Sequence, residues 1–331
     1  MTVAVTGANG HVGVNLCKAL QDAGYEVRAL AHRNDYALRH IRVALFKGDL
    51  LDKDTLPGLV AGADVVIHLA ARISIKGDPD GSVGRINREG TRNILEVSKN
   101  AGVKRFIHFS SIHAFVQEPL NEILDETRVL VDETGFAYDR SKADGERLAL
   151  SVSDSNFEVV VLSPTAIIGP MDYEPSLTGK AMLQLYHHQV PALVPGGYNW
   201  IDVRDVVQAT IAAIRKGRPG EKYLLGGTWR SIGEVSRLIE HYTGRKTTRL
   251  IMPFWIARVG LPFITLYSSI TGAEPLYTGE MLEIIMKGNQ HISNEKARKE
   301  LDFNPRPLEE TISDIFKWYG ENGFLNKPSK Q

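Results

Sequence analysis

The chain has 331 residues, with 39 basic and 39 acidic side chains and no formal net charge. That balance excludes binding to nucleic acid through a broad positive field, because phosphate recognition needs a basic excess on some face. Hydrophobic residues at 43% and charged residues at 24% exclude wholesale disorder, and the length suits one large α/β domain or two smaller ones.

Thr2–Thr6 predicts a first strand. It starts without a basic n-region or an apolar leader, so no signal peptide and a cytoplasmic location are expected. His11–Ala23 predicts a helix closed by Gly24. The single cysteine, Cys17, lies in an apolar run of that helix. It can form neither an internal disulfide nor a Cys-based metal cage, and it reads as a buried small side chain; no metal site is predicted.

Further strands are expected at Glu26–Ala31, Val43–Phe46, Val65–Leu69, Arg105–Phe109 and Val159–Leu162. Their near-continuous apolar character suits strands buried on both faces. Helices are expected at Asp54–Leu59, Arg85–Asn100 and Tyr138–Ser155. The βαβ rhythm implies right-handed crossovers, hence an α/β fold: a Rossmann-type doubly wound parallel sheet over residues 1–165.

Residues 166–331 read as a smaller, mixed substrate-binding region. A helix (Val203–Arg215), a strand (Lys222–Leu225) and a helix (Ile232–Tyr242) are expected, with elements near 200–227 returning to the main sheet. Ile251–Tyr267 is apolar and aromatic but contains Arg258, Pro253 and Pro262. No apolar run reaches the ~18 residues of a membrane span. This stretch has three readings: a lid over an apolar substrate, core or dimer interface, and shallow membrane attachment, which the prolines and few basic residues disfavour. The polar end, Asn326–Gln331, is expected to fray.

The first strand runs into Gly7-Ala8-Asn9-Gly10-His11-Val12-Gly13. Gly7 permits a tight turn, Gly10 lets backbone N–H groups approach a pyrophosphate, and Gly13 lets the helix pack closely. The helix N-terminus adds partial positive charge. At the end of the second strand an NAD-selective site carries Asp or Glu for the ribose 2′-hydroxyl. Here Ala31 stands there, followed by His32 and Arg33, with Arg28 nearby. The missing acid and the adjacent cations favour the 2′-phosphate of NADP over NAD.

Tyr138 and Lys142 are four residues apart on an expected helix, so phenol and ammonium can address one site. An ammonium nearby lowers the phenol's pKa from ~10 and fits it for proton transfer. Ser110-Ser111 closes the fifth strand, at the carboxyl edge where such sheets bind ligands.

The Gly-x-x-Gly-x-x-Gly spacing, with Thr6 before it and Asn9 inside it, resembles the extended short-chain dehydrogenase/reductase superfamily (the NAD-dependent epimerase/dehydratase family). The likeness continues in Val66–Ala71, in Asn87-x-x-Gly90-Thr91-x-Asn93, in Tyr138-x-x-x-Lys142 and in Trp200–Val206, and is nearest to the branch of dihydroflavonol reductases and 3β-hydroxysteroid dehydrogenases. The resemblance implies that Ser111, Tyr138 and Lys142 are catalytic. It places Gly7, Asn9, Gly10, His11, Val12 and Gly13 at the pyrophosphate and Asp49 and Leu50 at the adenine. Leu69, Ala70 and Ala71, with Pro164 and Thr165, would line the nicotinamide side, and Asn87 would sit near the active site or hold its architecture. Many members carry Arg where this chain has Ser163, so no side-chain cation is expected there. Asp202 reads as a helix cap, and His113 as structural.

The leading expectation is an NADP(H)-dependent reductase of a ketone or aldehyde on a largely apolar small molecule. A nucleotide-sugar epimerase and a non-catalytic NADP(H)-binding redox sensor are the alternatives. The helices Arg85–Asn100 and Tyr138–Ser155 would pair across a homodimer axis, as in several members of the superfamily.

Overall fold

A computed structural model describes residues 1–32, 35–39, 41–75, 77–271 and 277–326, with backbone only over 263–271. Arg33 and all but the first residue of the expected frayed end lie outside the described residues.

The main sheet has seven parallel strands: β1 (Thr2–Thr6), β2 (Glu26–Ala31), β3 (Ala44–Lys47), β4 (Val65–His68), β5 (Arg105–Phe109), β6 (Glu158–Pro164) and, later in the chain, Lys222–Leu225. Their spatial order places β1 between β2 and β4, with β3 at one edge and Lys222–Leu225 at the other. Chain direction of winding therefore reverses at β1/β4, and a crevice opens beyond the carboxyl ends there. β1, β4 and β5 are apolar along nearly their whole length because helices cover both faces.

Helices α1 (His11–Asp22), α2 (Pro57–Val60), α3 (Ser82–Asn100) and α4 (Ala137–Ser151) fill the crossovers. Gly24 and Gly102 take left-handed backbone just after α1 and α3, as the sequence predicts. The boundaries differ where side chains cap. Pro57 starts α2 afresh after a short 3₁₀ turn. Asp78 accepts from Val83 and Gly84 N–H at 2.9 Å, so α3 begins three residues earlier than expected. Asp154 accepts from Asn156 and Phe157, and this turn follows an α4 that ends at Ser151 instead of Ser155.

After β6 come β7 (Ala166–Ile168), α5 (Leu177–Tyr186), β8 (Gly197–Asp202), α6 (Val203–Lys216), β9 (Lys222–Leu225, the seventh main strand) and β10 (Thr228–Ser231). β7, β8 and β10 form a second, mixed sheet with β8 in the middle. Helices α7 (Ile232–Thr243), α8 (Phe254–Thr271), α9 (Gly279–Lys287), α10 (Glu295–Leu301) and α11 (Leu308–Glu321) complete the chain. One apolar core lies beneath the main sheet around α1, α6 and α10, and another joins α5, α7, α9 and α11 to the small sheet. Cys17 is buried, and burial pushes its thiol up to about 12, so it is an inert packing group.

The polar seam between α6 and α11 is built from ions. Asp202 caps α6 and accepts from Arg204 N–H at 2.8 Å, while the Arg204 guanidinium reaches Asp202 and Asp314. Arg306 lies 2.8 Å from Asp205.

Candidate active site

The turn after β1 has the geometry that a close-approach loop demands. Gly7 takes φ +70°, and a Cβ there would stand 2.6 Å from Ala70 N. A Cβ on Gly13 would stand 2.2 Å from the Gly7 carbonyl, so α1 lies directly against the loop. Gly10 occupies the N-cap of α1 and offers no side-chain oxygen to the first-turn amides, and no acidic residue stands in that turn. The N–H groups of His11, Val12 and Gly13 therefore form a dipolar end suited to an external anion. The loop fits a pyrophosphate on this ground.

Other predicted cofactor residues hold the loops around that crevice. Asn9 Oδ1 accepts from Ala37 N–H at 3.0 Å, binding the Gly loop to the turn after β2. His11 Nε2 lies 3.1 Å from the Pro170 carbonyl, tying α1 to the segment that follows β7. Leu69 and Ala70 donate to the backbone and hydroxyl oxygens of Thr6. Asn87 is buried; its amide donates to Arg72 O at 3.0 Å and Ser141 Oγ at 2.9 Å, and its oxygen accepts from Arg72 N–H at 2.7 Å. It thus clamps the segment after β4 to the helix that carries Tyr138. Thr165 bonds through its N–H to Leu225 O at 3.2 Å, between β6 and β7.

At the far side, His32 Nε2 lies 3.2 Å from Asp49 Oδ2, across the carboxyl ends of β2 and β3. Leu50 is buried against Gly90. Ala31, at the position where an acid would stand, ends β2. Arg28 is turned elsewhere: its guanidinium donates to the Ala61 carbonyl at 2.5 Å, at the entry to β4, so it cannot serve the ribose phosphate as the sequence suggested. The register explains the correction, since Arg28 sits three residues before the end of β2 and pairs with Ala4, deep in the sheet.

Ser111, Tyr138 and Lys142 come together beyond β5. Ser111 caps a short 3₁₀ turn, accepting from His113 N–H at 3.2 Å, and its hydroxyl faces the Tyr138 phenol closely enough to hold that phenol's pKa down against burial. Lys142 is buried and donates to the Phe109 carbonyl. The electrostatics differ from the simple expectation. Burial, offset by the Ser111 hydrogen bond and reinforced by Asp139, pushes the phenol up to about 12. Burial also brings Lys142 down to about 8, against the pull of Glu146. Two buried histidines contribute to that uncharged setting: His68 and His108 stack at 5.6 Å, both held neutral by burial and then by the Lys142 charge.

The sequence reading missed three acids. Glu146, one turn past Lys142, is fully buried, with Lys222 Nζ 3.5 Å away; its signal was the four-residue helical step from Lys142. Asp139 is pushed up to about 7 by burial and then by Glu280. Glu280, at the start of α9, accepts from Gly77 N–H at 3.2 Å; it approaches from far along the chain, and no local pattern marks it. His113 meets Tyr138 edge-on at 6.2 Å and places Nδ1 3.6 Å from Asp139 Oδ1. Burial holds it at about 4, hence neutral.

Comparison with known proteins gives the same picture at larger scale. A sequence model of the NAD dependent epimerase/dehydratase family matches residues 3–226. "Sterol demethylase protein B" of Methylococcus capsulatus is 31% identical over 98% of this chain and 100% of its own length. A "4-hydroxy-2-methyl-3-oxo-4-farnesyl-3,4-dihydroquinoline-1-oxide ketoreductase" of Stigmatella aurantiaca is 26% identical over 98% of each chain. Among solved structures, gox2253 superposes with a TM-score of 0.84 at 29% identity, over 98% of this chain and 99% of that one.

Proposed function

The chain belongs to the NAD dependent epimerase/dehydratase family, among the extended short-chain dehydrogenases/reductases, and within it we propose an NADP(H)-dependent reductase of a ketone or aldehyde on a largely apolar small molecule. That it is an NAD(P)-dependent enzyme acting on small molecules follows from the family. The finer reading is carried by one observation: Ser111, Tyr138 and Lys142 converge at the carboxyl end of β5, where the Ser111 hydroxyl lowers the pKa of the Tyr138 phenol against burial and Lys142 donates to the Phe109 carbonyl.

When bound, the nicotinamide supplies hydride to the carbonyl carbon. Gly7–Gly13 and the first turn of α1 hold the pyrophosphate, Asp49 and Leu50 the adenine, and Leu69–Ala71, Pro164 and Thr165 flank the nicotinamide. Ser111 donates to the carbonyl oxygen and polarises it. Tyr138, neutral across the working range because of its burial, passes its proton to that oxygen as alkoxide charge develops. Lys142 keeps N–H donors beyond the one given to Phe109, and these would hold the ribose of a bound dinucleotide and favour the phenolate left behind.

Two features support NADP over NAD. Ala31 has no carboxylate to repel a 2′-phosphate, and the His32 ring, 3.2 Å from Asp49 at the ends of β2 and β3, stands beside it as a nitrogen donor. The names of the two relatives, one for a sterol and one for a farnesylated ketone, support an apolar substrate. The reading includes a cytoplasmic homodimer joined through α3 and α4. Oxidation of NADPH and NADH with cyclic ketones, enones and isoprenoid aldehydes tests the assignment, with sedimentation for the dimer. Retained oxidised cofactor without net turnover, together with interconversion of a nucleotide sugar, would replace it with an epimerase.

A further inference from the structure

We propose that the surface formed by Leu250, Ile251 and the first turns of α8 docks on an anionic lipid surface, with α8 lying in the plane of the headgroups. The helix is two-sided. Ala257 is buried, and Phe254 and Leu261 pack on the C-terminal core. On the opposite side Trp255 is 68% and Val259 64% exposed, one turn apart, and the residues leading in, Leu250 and Ile251, are 67% and 53% exposed. Single exposed apolar side chains need no explanation, but four of them within ten residues of chain, a Trp among them, mark an interaction surface.

Charge identifies the occupant. From Thr243 to Thr271 the chain carries four basic residues and no acidic one, although the whole protein is neutral. Arg249 is met by Glu240 of α7 at 2.6 Å, and Arg245 lies over the Tyr186 ring at 4.6 Å. Lys246 and Arg258 are exposed, Lys246 near enough to Glu240 to feel its charge. Cations around an exposed Trp and aliphatic face are what an interfacial helix presents to acidic headgroups. Two copies of the chain meeting through this face would instead bring like charges together. No helix among the described residues is long and apolar enough to cross a membrane, so the contact lies along the surface. The prolines do not prevent it: Pro253 precedes α8, and Pro262 stands inside the helix without ending it.

The inward side of α8, opposite that face, leads toward the crevice. Leu261 packs beside Gly279, and the next residue, Glu280, reaches Gly77 and the neighbourhood of Asp139.

The test is cosedimentation of the full chain with phosphatidylglycerol-rich vesicles and with pure phosphatidylcholine vesicles, with no substrate present. Binding to the anionic vesicles is expected to exceed binding to the neutral ones by about tenfold and to weaken in high salt. Trp255→Ser with Val259→Ser should reduce it about tenfold, and so should Lys246→Glu with Arg258→Glu. All four positions are exposed, and melting curves and cofactor binding should match the parent protein. Absence of binding to anionic vesicles at low salt overturns the proposal, as does binding that neither double variant weakens. A dimer that Trp255→Ser with Val259→Ser dissociates would assign the face to a second copy of the chain and equally overturn it.

Discussion

Lys142 gives an ammonium hydrogen to the main-chain carbonyl of Phe109, two residues before Ser111, the serine whose hydroxyl lowers the pKa of the Tyr138 phenol. The strand end therefore anchors the lysine and the serine of the site together. On the proposed function, Tyr138→Phe should lower kcat by about 10²–10⁴-fold while cofactor binding, read by nicotinamide fluorescence, stays intact. Full turnover by this variant would remove Tyr138 from the chemistry.

Lys142 titrates near 8 by virtue of its burial. Below that pH the ammonium is present; above it the charge is lost. The rate of carbonyl reduction should therefore fall as pH rises through about 8. Lys142→Arg, which stays charged, should flatten that limb even if its overall rate is lower. A limb that persists unchanged in the arginine variant would point to another group.

Cofactor choice should follow from the end of β2. Ala31→Asp places a carboxylate where a 2′-phosphate would lie. The ratio of kcat/KM for NADPH to that for NADH should drop by roughly 100-fold, equivalent to about 3 kcal/mol of charge repulsion and lost hydrogen bonding. An unchanged ratio would count against the NADP assignment.

Asp139 gives a pH signature in stability. Its folded pKa is raised to about 7 from an ordinary carboxylate value, so the folded state holds a proton that the unfolded state releases. Its contribution is fully present below the unfolded value and is lost as pH rises through about 7. Asp139→Asn removes that dependence. The melting temperature of the parent protein should fall relative to the variant between pH 4 and 7 and run parallel to it above, which calorimetry can follow.

The seam between α6 and α11 should be intolerant of single deletions. Arg306→Ala leaves Asp205, which is nearly buried, without the guanidinium 2.8 Å away. A loss of about 3 kcal/mol in denaturant unfolding is expected. A change within ~0.5 kcal/mol would mean that water replaces the pair.

The main sheet was legible because each of its strands is a local apolar run, and every one stands within a residue or two of where the pattern puts it. The glycine loop was legible for a similar reason: Gly7 and Gly13 are required by contacts inside a few residues of chain. Ser111, Tyr138 and Lys142 needed only the carboxyl end of β5 and one helical face. What escaped was non-local. β7 and β10 are short, and the pairing of both with β8 depends on segments that return from elsewhere. Glu280 reaches the vicinity of Asp139 from a helix more than a hundred residues away. Arg28 looked available until the register of β2 placed it too far back. The Ile251–Tyr267 stretch read as apolar and aromatic, interrupted by Arg258, Pro253 and Pro262, and only the helix it forms separates the inward side of Ala257 from the outward side of Trp255.

The crossing from the main sheet to the small one is made by Thr165 alone between β6 and β7, and by Gly226 and Gly227 between β9 and β10. Thr165 is fastened to Leu225, so the two crossings are stitched to each other. A joint of that kind resists swinging: neither half can rotate away without tearing adjacent threads of both sheets. Recombination that exchanged one half for a foreign module would sever both threads and the return through α6, leaving new selectivity to arise by replacing individual side chains on an unbroken frame.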